Sequence, residues 1–408
     1  MQSAVVERPY QFIPPNPSNA WPTFIQRFKL FDIHLRRREG VVDYEIRHAE
    51  RFSDALRTGD GILVAPNHCR YADPLVVGWL ARKVNTHVFA MASWHLFTKS
   101  WFDSFSIRCM GGFSIWREGT DRQSLETAVD ILTEARRPLV LFAEGSAHKT
   151  NDRLQTLLDG AGFIARTAAR RRQKETGGRV QMLPVGIKYA FQGDISAWAN
   201  ASLANLEQRL TWQVRSGQPI LERITRVAEG LLAIKEVEYL GKSYDGPLVE
   251  RQQRLLTAIV QPIEQECVGK TATGSIIQRV KALRPRIVPR LLDPATPAVA
   301  HPQLRSWLLD LDLAQQMAAY PNGYLTDAPV TDTRVLETLE RLEEDLLDEI
   351  RWPGPLKAII EVGHPILVPP ERQPRGEIDP LLAQLNGSLS EILGRLQHEA
   401  RLFSTELV

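Results

Sequence analysis

Cysteine is scarce in this sequence, since Cys69, Cys109 and Cys267 are the only three among 408 residues. Three thiols without regular spacing exclude a disulfide framework and a cysteine-based metal site, so we expect a reducing, cytoplasmic compartment. Cys69 adjoins a histidine, and a nucleophilic role for it is a minor alternative. No stretch reaches the roughly 18 to 20 apolar residues that a transmembrane helix needs. The N-terminus lacks a basic segment followed by an apolar one, so we expect no secretory signal.

An excess of charge of one sign is also missing. Fifty lysines and arginines against 48 aspartates and glutamates leave a net charge of +2. Such a chain is a poor general nucleic-acid binder, and we expect no nucleic-acid partner. With 43% hydrophobic residues it can bury a large core, and its length suits one large domain with additions or two domains.

The most informative stretch is residues 61–73, GILVAPNHCRYAD. Its apolar run, 62–65, is typical of a buried strand in a parallel sheet. His68 follows the strand, and Asp73, directly before Pro74, occupies the position of a helix N-cap. A carboxylate that accepts from one imidazole nitrogen raises the basicity of the other, so this pair is a candidate general base with its partner. The alternative is a loop histidine beside an ordinary helix start.

Further candidates follow later strands at the same predicted edge of the sheet, where open α/β sheets bind ligands. Residues 111–117, GGFSIWR, form a short strand that ends in Arg117. The apolar run PLVLF leads into Glu144, Gly145 and Ser146, which combine a carboxylate with a permissive turn. Pro184 lies inside another strand pattern, VQMLPVGI.

Aromatic side chains mark two helical patterns before residue 106. Residues 21–35 carry an aromatic stripe followed by three arginines, as a helix lying on anionic lipid requires; the alternative is a helix packed on the domain with its arginines in solvent. Residues 42–56 predict another helix. The stripe in residues 94–105 is more typical of core than of an acyl-chain wall or membrane contact. Its members are Trp94, Phe97, Trp101 and Phe105.

The chain divides into four predicted parts. Residues 1–20 are rich in proline and predict a disordered lead. Alternating strands and helices in residues 21–193 predict an α/β fold, a mostly parallel sheet covered by helices. Helical periodicity through 194–355 predicts an all-helical insertion, and 356–408 predict the closing strand and C-terminal helix of the first domain.

Four of these segments together resemble the motifs of the glycerophospholipid acyltransferases, a family that includes the lysophosphatidic acid acyltransferases. Asn67-His68 with Asp73 resembles the family's histidine, four residues, aspartate motif. Residues 112–117 resemble the second motif, 142–146 the third and 183–187 the fourth. The resemblance covers about residues 40–193. Residues 361–366, EVGHPI, are similar to the family's closing strand and turn.

One departure concerns the acceptor's phosphate. Where the family usually has an arginine after its Glu-Gly-Thr, this chain has Ala147-His148. The family assigns the arginine of the second motif, here Arg117, to the phosphate, and Lys149 or Arg153 could also compensate. Whether the acceptor carries a phosphate therefore stays open.

The resemblance implies an enzyme that moves a fatty acyl group from acyl-CoA or an acyl carrier protein to the hydroxyl of a glycerol phosphate or lysophospholipid. It needs no cofactor or metal, because a thioester is already activated, and a peripheral position on the membrane is expected. His68 would be the base and Asp73 its partner. The predicted substrate-binding residues are Asn67, Arg117, Glu144, Gly145, Ser146 and Pro184, with Asn67 and amides beside Gly145 facing the developing oxyanion.

Two alternatives come from other classes. One is a degenerate acyltransferase fold that serves as a membrane-associated binding or scaffold protein. The other is an α/β hydrolase, but the chain contains no Gly-x-Ser-x-Gly nucleophile elbow.

Overall fold

The computed structural model describes residues 8–119, 121–327, 329–347, 354–371 and 379–404. These residues form an α/β fold, a mostly parallel sheet surrounded by helices, as the sequence predicts. The strands in chain order are β1 (Val41–Arg47), β2 (Gly61–Pro66), β3 (Phe89–Ser93), β4 (Gly112–Ile115), β5 (Leu139–Val140), β6 (Val180–Phe191), β7 (Leu356–Val362) and β8 (Ile366–Leu367).

The helices lie between and after these strands. Those up to β6 are α1 (Ala20–Arg27), α2 (Leu30–Arg38), α3 (Ala49–Arg57), α4 (Asp73–Lys83), α5 (His95–Thr98), α6 (Trp101–Cys109), α7 (Arg122–Glu134) and α8 (Asp159–Thr176). Those after β6 are α9 (Ile195–Thr211), α10 (Ile220–Leu240), α11 (Leu248–Val268), α12 (Ile276–Leu292), α13 (His301–Ala318), α14 (Asp332–Leu347) and α15 (Pro380–Leu396).

The strand order is β1-β7-β6-β2-β5-β3-β4, with β8 pairing with β6. Strands β6, β2, β5, β3 and β4 run parallel to one another, while β7 pairs antiparallel with β6. The loops after β2, β4 and β5 therefore leave from the same edge of the sheet. That edge receives the candidate residues that follow these strands.

Two apolar cores cover the two faces of the sheet. Successive residues of β2 alternate between them: Ile62 and Val64 face one core, Leu63 and Ala65 the other. The first core includes α2, α3, α4, α9, α10 and α14, and the second includes α7, α8 and α15. Helices α11, α12 and α13 bury their apolar faces in a third core. Of the helices between β6 and β7, some therefore pack on the sheet and others form a separate core. The predicted boundaries of a helical insertion stay a prediction.

Three local expectations differ from the structure. The predicted helix 42–56 begins with a strand, β1, which pairs with β7. The aromatic segment 21–35 is interrupted at Lys29, which has a φ of 52°, so it forms two helices instead of one. The stripe 94–105 also divides, because Trp94 and Phe97 are buried while Trp101 is 77% exposed.

The N-terminal lead predicted to be disordered is tied to the domain from its first described residues onward. Tyr10 stacks on Trp116 with ring centroids 5.3 Å apart. The backbone N–H of Ser114 in β4 donates to the carbonyl of Ile13 at 3.0 Å. Residues 1–7 lie outside the described part, and the disordered lead stays a prediction.

None of the helices in the described ranges combines the length and apolar character that a bilayer crossing needs.

Candidate active site

His68 lies just beyond the carboxyl end of β2, held by Asp73 at the start of α4. Its Nδ1 is 2.9 Å from Oδ2 of Asp73, and the two side chains are 14% and 0% exposed. Its ring stacks on Phe142 with centroids 4.2 Å apart. In the described ranges Nε2 has no hydrogen-bond partner. A histidine whose Nδ1–H donates to a carboxylate carries a free lone pair on Nε2, so it can accept a proton from a substrate hydroxyl.

Asp73 differs in one respect from the helix cap that the sequence predicts. It is the first residue of α4, the N-cap is Ala72, and no side chain caps the helix. The carboxylate instead accepts the backbone N–H of Arg70 at 2.9 Å and the hydroxyl of Tyr189 at 2.6 Å. Burial, and then the charge of Asp73, raise the pKa of Tyr189 well above its usual range, so this hydroxyl stays a donor. Two groups besides His68 thus fix the fully buried carboxylate that orients the imidazole.

Glu144 binds protein groups rather than facing open space. Its Oε1 accepts the backbone N–H of His68 at 2.5 Å, and its Oε2 lies 2.6 Å from Nε2 of His148. The N–H of Gln155 adds a third contact at 2.6 Å. The carboxylate is 0% exposed. Glu144 therefore holds the loop of His68 in place, whereas the sequence suggested direct contact with the acceptor.

Asn67 is likewise occupied by the fold. Its Nδ2 donates to the carbonyl of Ile187 at 3.0 Å, and its Oδ1 accepts the N–H of Ile187 at 2.6 Å. The residue is 1% exposed. Its amide ties the loop after β2 to β6, and a donor for an oxyanion must come from elsewhere.

Cys69 is completely buried, and burial raises the pKa of its thiol well above the usual range. A protonated, inaccessible thiol is neither a nucleophile nor a metal ligand. The minor alternative of a nucleophilic Cys69 is therefore wrong.

Gly145 and Ser146 form the open part of the third segment. Gly145 has a φ of 79°, a conformation that glycine adopts without strain, and its carbonyl accepts a bond from the guanidinium of Arg117. Arg117 itself is exposed. Ser146 is half-buried, and its hydroxyl has no partner in the portion of the chain that the structure describes. Gly145 and Ser146 directly follow Glu144, which binds the backbone N–H of His68.

Pro184 is buried within β6. Strand β6 pairs with β8 at residues 181 and 182 and with β7 at residues 185–191. Pro184 falls in the gap between these pairings, so its missing N–H leaves no ladder bond unmade. Its predicted substrate contact is not supported, because it has a structural place in the sheet.

Helix α14 supports the site from far along the sequence. Glu340 forms a two-pronged ion pair with Arg70, at 2.8 and 3.2 Å, and Glu344 contacts Lys149 at 2.5 Å. Glu337 accepts bonds from Asn151 and from the hydroxyl of Tyr324. Burial raises the pKa of Glu337 to about 7. Three glutamates on one helix thus hold the loops that carry His68 and Glu144.

Sequence patterns gave no signal for several of these residues. Tyr189 and the glutamates of α14 bind site residues more than 100 positions away, whereas His148 binds Glu144 on its own loop, and none of them belongs to a short motif. The spacing of the glutamates at 337, 340 and 344 matches one helix face, which is a usable but weak signal.

Comparison with known proteins agrees with this geometry. The model of a family described as Acyltransferase matches residues 47–188, which include every segment that forms the site edge. These residues are an acyltransferase domain of the glycerophospholipid acyltransferase family. One similar protein, a 1-acyl-sn-glycerol-3-phosphate acyltransferase of Streptococcus pneumoniae (strain ATCC BAA-255 / R6), is 36% identical over 107 residues. That match covers 26% of this chain and 37% of the relative. The acyltransferase domain thus holds His68, Asp73, Arg117 and Glu144, while α14 lies outside the matched residues.

Proposed function

We propose that this chain transfers a fatty acyl group from an acyl thioester to a hydroxyl of a phosphate-bearing glycerolipid. The observation that carries the proposal is the pair of His68 and Asp73, with a fully buried carboxylate and a free Nε2, inside an acyltransferase domain. The similarity to the Streptococcus pneumoniae 1-acyl-sn-glycerol-3-phosphate acyltransferase supports the glycerol-phosphate class of acceptor.

The proposed reaction begins with proton transfer from the acceptor hydroxyl to Nε2 of His68. The hydroxyl oxygen attacks the thioester carbonyl and forms the new C–O bond. The C–S bond then breaks, and the leaving thiolate takes the proton from His68. The free hydroxyl of Ser146 is our candidate for a hydrogen bond to the charge that develops on the carbonyl oxygen. No cofactor or metal enters the proposal, and the thiol carrier is coenzyme A or an acyl carrier protein.

An acceptor panel tests this function. Purified protein and one labelled acyl thioester are supplied with lysophosphatidic acid, glycerol 3-phosphate, a lysophospholipid with a larger headgroup and a monoacylglycerol. We expect the labelled ester to form preferentially on acceptors that carry a free phosphate. Equal use of the monoacylglycerol would contradict the proposal that the acceptor must carry a phosphate. If no ester forms with any acceptor, the result would favour the scaffold alternative.

Arg117 is expected to act on the acceptor. A guanidinium forms paired bonds to a phosphate, and a charged hydrogen bond contributes about 1.5–3 kcal/mol, or roughly 10- to 100-fold in affinity. Arg117→Ala should raise the KM for a phosphate-bearing acceptor by roughly this factor, and Arg117→Lys by less, because lysine keeps the charge but loses the fork. Steady-state kinetics with each substrate varied in turn measure both effects.

The donor constant is the internal control for Arg117. We expect the KM for the acyl thioester to stay unchanged in both variants. A higher KM for the acyl thioester, with an unchanged KM for the acceptor, would place Arg117 in the coenzyme or carrier site.

An exposed group of aromatic rings supports a peripheral membrane position. It joins α1 to α6, since the rings of Trp21 and Phe105 are 5.3 Å apart and those of Trp101 and Phe105 are 5.4 Å apart. We define the aromatic patch as Trp21, Phe24, Phe28, Trp101, Phe102 and Phe105. Arg27 and Lys29 are exposed on the same segment. Aromatic rings beside cations suit an anionic bilayer surface.

Substitution within the aromatic patch should weaken membrane binding. Trp101 and Phe102 are 77% and 67% exposed, so Trp101→Ala with Phe102→Ala should leave the fold intact. Removing two rings that would enter lipid should lower the partition onto anionic vesicles by about 10- to 100-fold. Co-sedimentation measures this, and higher salt should weaken binding of the unaltered protein.

A matched control is Trp212→Ala, since Trp212 is 81% exposed and lies at the end of α9. We expect this variant to bind vesicles as the unaltered protein does. Equal binding by the patch variant would contradict the assignment of this surface.

A further inference from the structure

Helix α12 brings a cation to the acyltransferase site that none of the four motifs supplies. The ammonium nitrogen of Lys281 lies 3.9 Å from the position that a Cβ on Gly145 would occupy. Gly145 directly follows Glu144, whose Oε1 holds the backbone N–H of His68 at 2.5 Å. Lys281 therefore reaches the loop that positions the proposed base.

Arg117 reaches the same loop from the end of β4. Its guanidinium donates to the carbonyl of Gly145. Burial, and then the charge of Arg117, lower the pKa of Lys281, in keeping with two cations held close together. Two such cations repel each other, and an anion bound between them would relieve the repulsion and gain bonds from both.

The register of α12 against the site is fixed by Arg284, one turn beyond Lys281. Its Nε lies 2.9 and 3.0 Å from the two carboxylate oxygens of Glu118, the residue after Arg117. Another of its nitrogens binds Asp312 on α13. Arg284 is thus neutralised by two carboxylates. Lys281, in contrast, makes no ion pair or hydrogen bond within the described ranges.

The two other cations that the sequence offered as substitutes for an arginine at Ala147 are already paired. Lys149 contacts Glu344 at 2.5 Å, and Arg153 contacts Asp327 at 3.2 Å. A phosphate would have to compete with these carboxylates. Lys281 makes no such ion pair within the described ranges, although the charge of Glu144 acts on it and opposes the effect of Arg117 on its pKa.

We propose that Lys281 binds the phosphate of the acceptor together with Arg117. Lys281 would thus replace the arginine that the family usually has at the position of Ala147. The inference rests on the proposed acyl transfer to a phosphate-bearing glycerolipid. It gives α12, which lies outside the residues that match the acyltransferase family, a direct part in acceptor selection.

Direct binding of two acceptors tests this assignment. Calorimetry compares a short-chain lysophosphatidic acid with the monoacylglycerol of the same chain length. Lys281→Gln should weaken binding of the lysophosphatidic acid by about 10- to 100-fold, the range for one charged hydrogen bond, and leave binding of the monoacylglycerol unchanged. Lys281→Arg should restore most of the affinity, because it keeps the charge.

Arg286→Gln is the matched control, since Arg286 is an exposed cation on the same helix. It should bind both acceptors as the unaltered protein does. The proposal for Lys281 is overturned if Lys281→Gln keeps the affinity for lysophosphatidic acid, or if the unaltered protein binds the two acceptors equally.

Acyl transfer measured on the same samples separates this proposal from the proposed function. In the transfer assay, Lys281→Gln should raise the KM for lysophosphatidic acid. It should leave kcat and the KM for the acyl thioester unchanged. Phosphate-dependent binding that is lost in Lys281→Gln, without transfer by the unaltered protein, would support the phosphate site and contradict the acyltransferase reaction.

Discussion

Replacement of His68 by alanine is expected to lower kcat for acyl transfer by about 10²- to 10⁴-fold, the usual contribution of a positioned general base. The imidazole is held by Asp73 on one side and by Phe142 on its face, and its Nε2 is free. Its removal takes away the group that accepts the hydroxyl proton and leaves the cores of the domain untouched. Transfer of a labelled acyl group at saturating substrate measures the effect.

Two comparisons make the test of His68 specific. His364 is exposed in the turn between β7 and β8, and His364→Ala should keep the full rate. Because Asp73 acts through His68, the double variant with Asp73→Asn should be little slower than His68→Ala alone. A His68→Ala protein with undiminished kcat would remove the base from the mechanism.

Loss of Glu340 is expected to have the largest effect on stability. Glu340 and Arg70 form a two-pronged pair with side chains only 5% and 9% exposed. Glu340→Ala leaves the buried guanidinium without its ion-pair partner, and breaking a buried pair in this way typically costs about 3–5 kcal/mol of unfolding free energy. Because the N–H of Arg70 also binds Asp73, we expect kcat to fall as well. Urea unfolding monitored by tryptophan fluorescence gives the change in stability.

The matched control for Glu340 is an exposed carboxylate. Asp54 pairs with Arg57 on α3, with side chains 60% and 74% exposed, and Asp54→Ala should change stability by at most about 1 kcal/mol. Replacing both buried partners, as in Arg70→Met with Glu340→Leu, should recover much of the lost stability, since no charge is left unpaired. A Glu340→Ala protein as stable as the Asp54→Ala control would show that α14 does not hold the loop.

The parts of the fold that the sequence predicted are those set by local patterns. The run 62–65 between a glycine and a proline forms β2, and α4 begins at Asp73, one residue before the expected start at Pro74. His68 follows β2 and Asp73 begins α4, and Nδ1 of His68 lies 2.9 Å from Oδ2 of Asp73. A motif whose members lie on one strand, one loop and one helix can therefore be predicted without knowledge of the whole fold.

Strand β1 was missed because its partner is far along the chain. Asp43, Glu45 and Arg47 give this half-exposed strand charges that also suit a helix surface. Strand β1 forms its backbone hydrogen bonds with β7, where Val41 pairs with Leu356 and Arg47 with Glu361. This pairing decides the conformation of the segment. Tertiary pairing of this kind overrides local propensity.

The roles of Asn67 and Glu144 could not be predicted for a related reason. Both residue types are chemically able to contact a substrate, and the motif identifies their positions correctly. Their hydrogen bonds, however, run to Ile187, His148 and the backbone of His68, which only the folded loops bring together. The same holds for Lys281, whose place beside Gly145 depends on the packing of α12.

The most direct test of the proposed reaction is a balance of thiol and ester with unaltered protein. The protein receives a labelled acyl thioester and lysophosphatidic acid, and free thiol and labelled diacyl product are counted over the same interval. We predict equal amounts of the two, both depending on lysophosphatidic acid and both lost in His68→Ala. Thiol release without the diacyl product, or release that does not require lysophosphatidic acid, would contradict acyl transfer to a glycerolipid hydroxyl.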